Sequence, residues 1–194
     1  GVGADHNAYT TKEHTCYYAK VLDRDLPLAI DVIGDMITDS TLDEEEVETE
    51  RGVILEEIAM YEDEPADLVD DVFAEHFFGD SPLARPILGT TDTIKALPRE
   101  RILEQYRDAY VPSELVVTAA GSLDHDAVVK QVRSLFADQL AAAGDARPVR
   151  PRSNTTPFQV CGGTVLRSRE TEQAHLVLGM EGMVRTDPRW HALR

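Results

Sequence analysis

The chain has 194 residues, with 36 acidic against 19 basic side chains and a formal net charge of −17. That balance excludes an electrostatic nucleic-acid binder, which would turn a basic face toward phosphates. No apolar run approaches the ~18 residues that a membrane-spanning helix needs. Apolar residues at 42% and charged residues at 28% make an ordinary globular mix, with enough length for one good core or for one domain and part of another. The two cysteines, Cys16 and Cys161, form no C-x-x-C pair, which points to a reducing, cytoplasmic setting. No basic-then-apolar leader opens the chain. Both ends read as cuts through structure, so a piece of a longer protein is expected.

Residues 7–21 alternate and are rich in Tyr, Thr and Val, which predicts one long strand. Residues 26–38 follow a helical period, with Asp25 and Pro27 suited to its start. A second helix is expected from a Ser40 or Thr41 cap to about Asp63, its first turn carrying acids that the helix dipole favours. Pro65 stops it and opens a third helix through Phe78. After a proline-containing loop at 79–89 come helices over 91–97 and 98–110. A short strand is expected at 115–120, and then a helix capped by Asp124 that runs to about Ala143. Residues 147–157 carry Pro and Arg without an apolar period and read as a linker. Beyond it, 158–169 and 173–180 read as strands, and 190–194 as the opening of a helix. No regular strand–helix alternation appears. The fold class predicted is α+β, with helices packed on a mainly antiparallel sheet. The domain organisation expected is 1–146, the linker, and a second domain opening at 158–194.

On a helical wheel of the second helix, Val47, Ile54, Ile58 and Tyr61 share one side, and Val53 and Met60 widen it into an apolar arc. Glu50 and Glu57 fall inside that arc, between Ile54 and Val53. Seven residues apart, they stack on one face two turns apart. Glu48, Glu56 and Glu62 fall outside the arc or at its edge. A buried unpaired carboxylate costs several kcal/mol and would take up a proton. Glu50 and Glu57 therefore call for a cation: a metal with histidine ligands, or an arginine pair. A solvated acidic helix face also satisfies the pattern.

The run Glu50-Arg51-Gly52-Val53-Ile54-Leu55-Glu56-Glu57 resembles the E-R-x-x-x-x-x-E segment of the inverzincin metallopeptidases, the pitrilysin and mitochondrial processing peptidase superfamily. Asn7-Ala8-Tyr9-Thr10 followed by Glu13-His14-Thr15-Cys16-Tyr17-Tyr18 resembles the strand before it in that family. Residues 82–90 resemble the loop after the zinc-ligand helix, and 121–125 a later turn. The resemblance covers nearly the whole chain in order. The family's H-x-x-E-H signature, in which two histidines bind zinc and the glutamate activates water, is not found in these 194 residues. In the family it lies before the Asn-Ala-x-Thr strand, so it is expected upstream of Gly1.

The resemblance implies that Glu57 is the third zinc ligand and that Glu50 is a carboxylate orienting a ligating histidine. It implies that Asn7, Ala8 and Tyr9 form the edge strand on which an extended peptide lies. The function implied is a zinc-dependent endopeptidase acting on peptides or presequences. Zinc would be absent or weakly bound in this piece alone. The partners implied are a peptide substrate and a second half or partner subunit of the same family, with no nucleic acid and no membrane. The alternative is a noncatalytic homologue that binds peptides or acts as a scaffold subunit. Among other residues, His76 reads as packed, Arg85 as holding its loop by ion pairing, and His6 and His14 as too far apart along one strand to share a metal, at roughly 26 Å.

Overall fold

The computed structural model of the chain describes residues 2–142, 159–184 and 186–193. Two compact units appear, each drawn from two separated stretches: Gly1–Val53 with Asp92–Asn154, and Ile54–Thr91 with Thr155–Arg194. The fold is mixed α and β, mostly helical with a two-stranded antiparallel sheet. The linker expected at 147–157 lies outside the described residues.

In the first unit, β1 (Asp5–Thr10) and β2 (Thr15–Lys20) form a hairpin in which Ala8 faces Tyr17 and Tyr9 faces Cys16. This replaces the single long strand expected over 7–21. Thr11 makes the turn. Its hydroxyl accepts the amides of Glu13 and His14 at 3.2 and 3.1 Å, and its own amide donates to the His14 carbonyl at 2.8 Å. A side-chain oxygen satisfies the turn here without Gly or Asn, which is why the turn escapes pattern reading. His6 and His14 are thus closer than an unbroken strand would put them, yet they sit at opposite ends of the hairpin, and His14 instead meets the Thr11 hydroxyl through Nδ1 at 3.0 Å.

Helix α1 (Leu26–Thr38) has the predicted bounds, with Pro in its first turn. It packs on β2 and on α6 (His125–Leu135), whose cap is the expected Asp124, accepting from the Ala127 amide at 2.8 Å. The contact with α6 centres on Gly34, the buried residue of α1. A Cβ at Gly34 would lie 2.6 Å from Leu135 Cδ1, 3.0 Å from Cδ2 and 3.2 Å from Cγ, so the whole isobutyl group would have to shift. Gly34→Ala gains about 1 kcal/mol of helix propensity and costs about 1–3 kcal/mol of overpacking. The expected net loss is about 1 kcal/mol, read as a lower urea midpoint at unchanged slope; a higher midpoint would overturn the close-packing account.

Helix α2 (Glu44–Asp63) continues from the first unit into the second. It starts later than a Ser40 or Thr41 cap would place it. Leu42 takes a left-handed backbone, φ 43°, and Asp43 does the capping, its Oδ1 accepting the Glu45 amide at 3.0 Å. Helices α4 (Thr91–Ala96), α5 (Arg99–Ala109) and α7 (Ala137–Ala142) complete the first unit's helices.

In the second unit, α3 (Pro65–Phe78) also has the predicted bounds, and Glu64 caps it by accepting from the Ala66 amide at 3.3 Å. Ile58, Ala74 and Ala84 are its buried residues. Phe73 and Phe77 stack at 5.0 Å, and the Phe77 carbonyl accepts the Cys161 amide at 3.0 Å. Helix α8 (Trp190–Leu193) is a single turn. Among the described residues, the stretches expected as strands at 115–120, 158–169 and 173–180 pair with no other strand. Their apolar side chains stand open: Val116 is 85% exposed and Leu176 90%. A helix closes its hydrogen bonds within its own segment, whereas a strand exists only with a partner, and the alternating pattern alone cannot supply one.

Candidate functional site

Glu50 and Glu57 project from α2 with the seven-residue spacing that puts them on one face. Both are exposed, and among the described residues neither carboxylate has a hydrogen-bond or ion-pair partner. The apolar arc around them is open too, with Val53 43% and Met60 73% exposed and Ile58 alone buried on this helix. The wheel pattern therefore located the face correctly but not its burial. The acids are not stranded in a core; they stand ready as oxygen donors.

The rotation of α2 is set by Arg51, next to Glu50. Its side chain is only 15% exposed. One arm of the guanidinium donates to the Ile94 carbonyl and the other to the Leu97 carbonyl at 2.8 Å. The same group pairs with Glu48 at 2.9 Å, and that hydrogen bond holds the Glu48 carboxyl below its ordinary range. The planar fork thereby closes the open carbonyl end of α4, a favourable place for a cation. From α5, the Arg99 Nε donates to the Leu42 carbonyl at 2.5 Å, holding the turn that opens α2.

Asn7, Ala8 and Tyr9 lie on β1, all exposed. Among the described residues β1 pairs only with β2, and its other edge is free of any strand. The Thr11–His14 hydrogen bond sets the alternation of the ladder. It makes Tyr9 with Cys16 a hydrogen-bonded pair and Ala8 with Tyr17 a non-bonded one. The Ala8 amide accordingly points off the ladder to the free edge, where the Asn7 side chain accepts it at 2.8 Å. Tyr9, His14 and Tyr18 make an aromatic face on one side of the hairpin, with the His14 and Tyr18 ring centroids 5.8 and 6.3 Å from that of Tyr9.

On the hairpin's other face the Tyr17 and Tyr110 hydroxyls meet at 2.8 Å. Tyr110 ends α5, and its ring packs on Tyr106 at 5.2 Å. Tyr106 in turn donates to the Ile37 carbonyl at 2.7 Å and accepts the Ser40 amide at 3.2 Å. Burial first, then the hydrogen bond to Tyr17, raises Tyr110 above the ordinary phenol range and keeps it neutral. Sequence reading places Tyr17 in a strand and Tyr110 at a helix end but cannot pair residues 93 positions apart.

His76 packs as expected, with Nε2 shut away from solvent beside Gly163. Arg85 has no ion pair among the described residues, against the expectation that it holds its loop that way. No group of three or more His, Cys, Asp or Glu side chains comes together as a metal cage among the described residues. Glu50 and Glu57 place two carboxylates on one face of α2, an oxygen donor set compatible with zinc but short of a complete site among the described residues.

Residues 1–91 match the insulinase family of peptidases, M16, and residues 96–194 match the M16 inactive domain. The chain belongs to the M16 peptidase family. It is 54% identical, over 99% of its length, to an uncharacterized zinc protease of Streptomyces coelicolor, of which it covers 42%. It is 38% identical, over 94% of its length, to the uncharacterized zinc protease YmxG of Bacillus subtilis, again covering 42%. The chain thus spans about two-fifths of the length of these curated relatives. Among solved structures, an M16-like peptidase from Alicyclobacillus acidocaldarius superimposes with a TM-score of 0.61 at 28% identity, over 75% of this chain and 33% of that one. A chain of complex III from Candida albicans shares the fold, with a TM-score of 0.62 at 20% identity over 84% of this chain and 37% of that one. No described helix is long and apolar enough to cross a membrane.

Proposed function

We propose that the full-length parent protein is a zinc-dependent endopeptidase acting on extended peptides or presequences, and that residues 1–194 contribute part of its site. The observation that carries the reading is the pair of exposed carboxylates, Glu50 and Glu57, on one face of α2 and without a partner among the described residues, in a chain of this family. Glu57 supplies a zinc ligand, and Glu50 orients another ligand from behind. Zinc, when bound, polarises the peptide carbonyl and activates water. Arg51 fixes the turn of helix that presents both acids. The free edge of β1 receives the peptide as an added strand, with the Ala8 amide as a donor once the Asn7 side chain moves aside. Such pairing reads backbone and not sequence. The acidic balance of −17 favours cationic peptides.

The sequence has no H-x-x-E-H, and no metal cage forms among the described residues, so residues 1–194 alone are expected to bind zinc weakly and to hydrolyse nothing. The remaining ligands and the domain that closes over the peptide belong to the rest of the parent protein or to a partner subunit. A second domain opening near 158 is part of the same proposal. Both cysteines are free, the state expected in a reducing, cytoplasmic compartment.

The free edge of β1 needs no metal, and it favours one alternative, a noncatalytic peptide-binding subunit. The full-length parent separates the two. Zinc near one equivalent with cleavage of unfolded peptides supports the peptidase; peptide binding with neither zinc nor cleavage supports the alternative and overturns the first reading.

A further inference from the structure

Helix α5 joins two parts of the first unit that matter for peptide hydrolysis. Just ahead of it, the Arg51 fork holds the Ile94 and Leu97 carbonyls at the end of α4, and its first residue, Arg99, holds Leu42, tying this region to the N-terminal half of α2. At its end, Tyr110 holds Tyr17 of β2, and Tyr17 stands directly opposite Ala8 of β1. A chain of contacts therefore runs from the acid-bearing helix to the free edge through one rigid element.

The hydroxyl pair is not simply one contact in a dense core. A cavity of about 510 Å³, lined by Met36, Leu97, Ile102, Tyr106 and the two tyrosines among others, opens beside it. With open space alongside, packing does not by itself fix the Tyr17 ring, and the hydrogen bond selects its position. Tyr106 does the same for Tyr110 from behind, since its own hydroxyl is held by Ile37 and Ser40 and its ring lies against Tyr110.

We propose that Tyr17 and Tyr110 are positioning residues: their hydroxyl pair latches the β1–β2 hairpin to α5 and so sets where along the free edge a bound peptide lies relative to the Glu50 face of α2. This rests on the peptide-edge reading above. The latch acts on register, not on chemistry. Burial and the hydrogen bond to Tyr17 push the Tyr110 phenol above its ordinary range, which favours the protonated hydroxyl in the latch.

The test uses the full-length parent with Tyr17→Phe, Tyr110→Phe and the double variant, each of which keeps the ring and deletes the hydroxyl. The readouts are KM, kcat, zinc content and the bonds cleaved in a long unfolded peptide, mapped by mass spectrometry. Each single variant is expected to raise KM about five-fold, the scale of one hydrogen bond, and to spread cleavage to neighbouring bonds. Zinc content and kcat should change less than about two-fold, and the double variant should match the singles, because both substitutions remove one bond. A purely structural role would lower the folded fraction and leave KM and the cleaved bonds of the remaining enzyme unchanged. Unchanged KM and cleavage positions in variants of an active wild type would overturn the latch alone. A wild type that cleaves no peptide would overturn the peptidase reading and the latch with it.

Discussion

Glu57→Gln in the full-length parent is expected to abolish stoichiometric zinc and to lower peptide hydrolysis by more than about 100-fold. Gln keeps the shape and removes the charge that a zinc ligand needs. Glu50→Gln is expected to cost less, about 10–100-fold in metal affinity or activity, the usual effect of losing a carboxylate that orients a ligand. Glu56→Gln serves as the control. It is exposed and lies off the shared face, so zinc and activity should stay within about two-fold, in line with surface substitutions elsewhere. Folding should be nearly indifferent to all three, because none of Glu50, Glu56 and Glu57 has a protein partner to lose among the described residues. Metal content by atomic emission checks the order Glu57, Glu50, Glu56. Full zinc in Glu57→Gln would remove that residue from the metal site.

A proline at position 8 should separate peptide binding from folding. The Ala8 amide points off the ladder, so Ala8→Pro deletes a donor on the free edge and no bond to β2. Pro is tolerated on an edge strand when its missing N–H faces outward, and the extended residue before it suits it. The melting temperature should therefore hold, while KM for an unfolded peptide rises about ten-fold, the size of a lost backbone hydrogen bond with some steric interference. Tyr9→Pro is the contrasting variant. Tyr9 sits in a hydrogen-bonded pair with Cys16, so its proline breaks the hairpin and should lower the melting temperature. Peptide cleavage by Ala8→Pro with an unchanged KM would move the peptide off β1.

The site was partly legible before the fold. A 3.6-residue period places Glu50 and Glu57 together, because the geometry of a helix is contained in its own segment. Burial is not contained there. It depends on what lies against the helix, and here the described structure leaves that face open. Arg51 was visible only as part of a motif. Its task, holding Ile94 and Leu97, needs contacts with residues 43 and 46 positions away. The hairpin is hidden in the sequence for a local reason, since Thr11 makes the turn with a hydroxyl in place of the usual Gly or Asn.

What the amino-acid order determined on its own is α1 and α3, with proline in the first turn of each and the bounds predicted, the Asp124 cap, the shared face of the two acids and the family likeness. These depend on bonds and periods inside short segments. The tertiary structure alone decided that 115–120 and 173–180 pair with no strand among the described residues, that the Ala8 amide points off the ladder with β2, and that Tyr17 reaches Tyr110. Strand pairing and side-chain latches join groups distant in the chain, and loop closure between them carries no local periodic signature. The two acids on α2 belong to both categories: their alignment is written in the helix, and their availability to a metal is a property of the space around it.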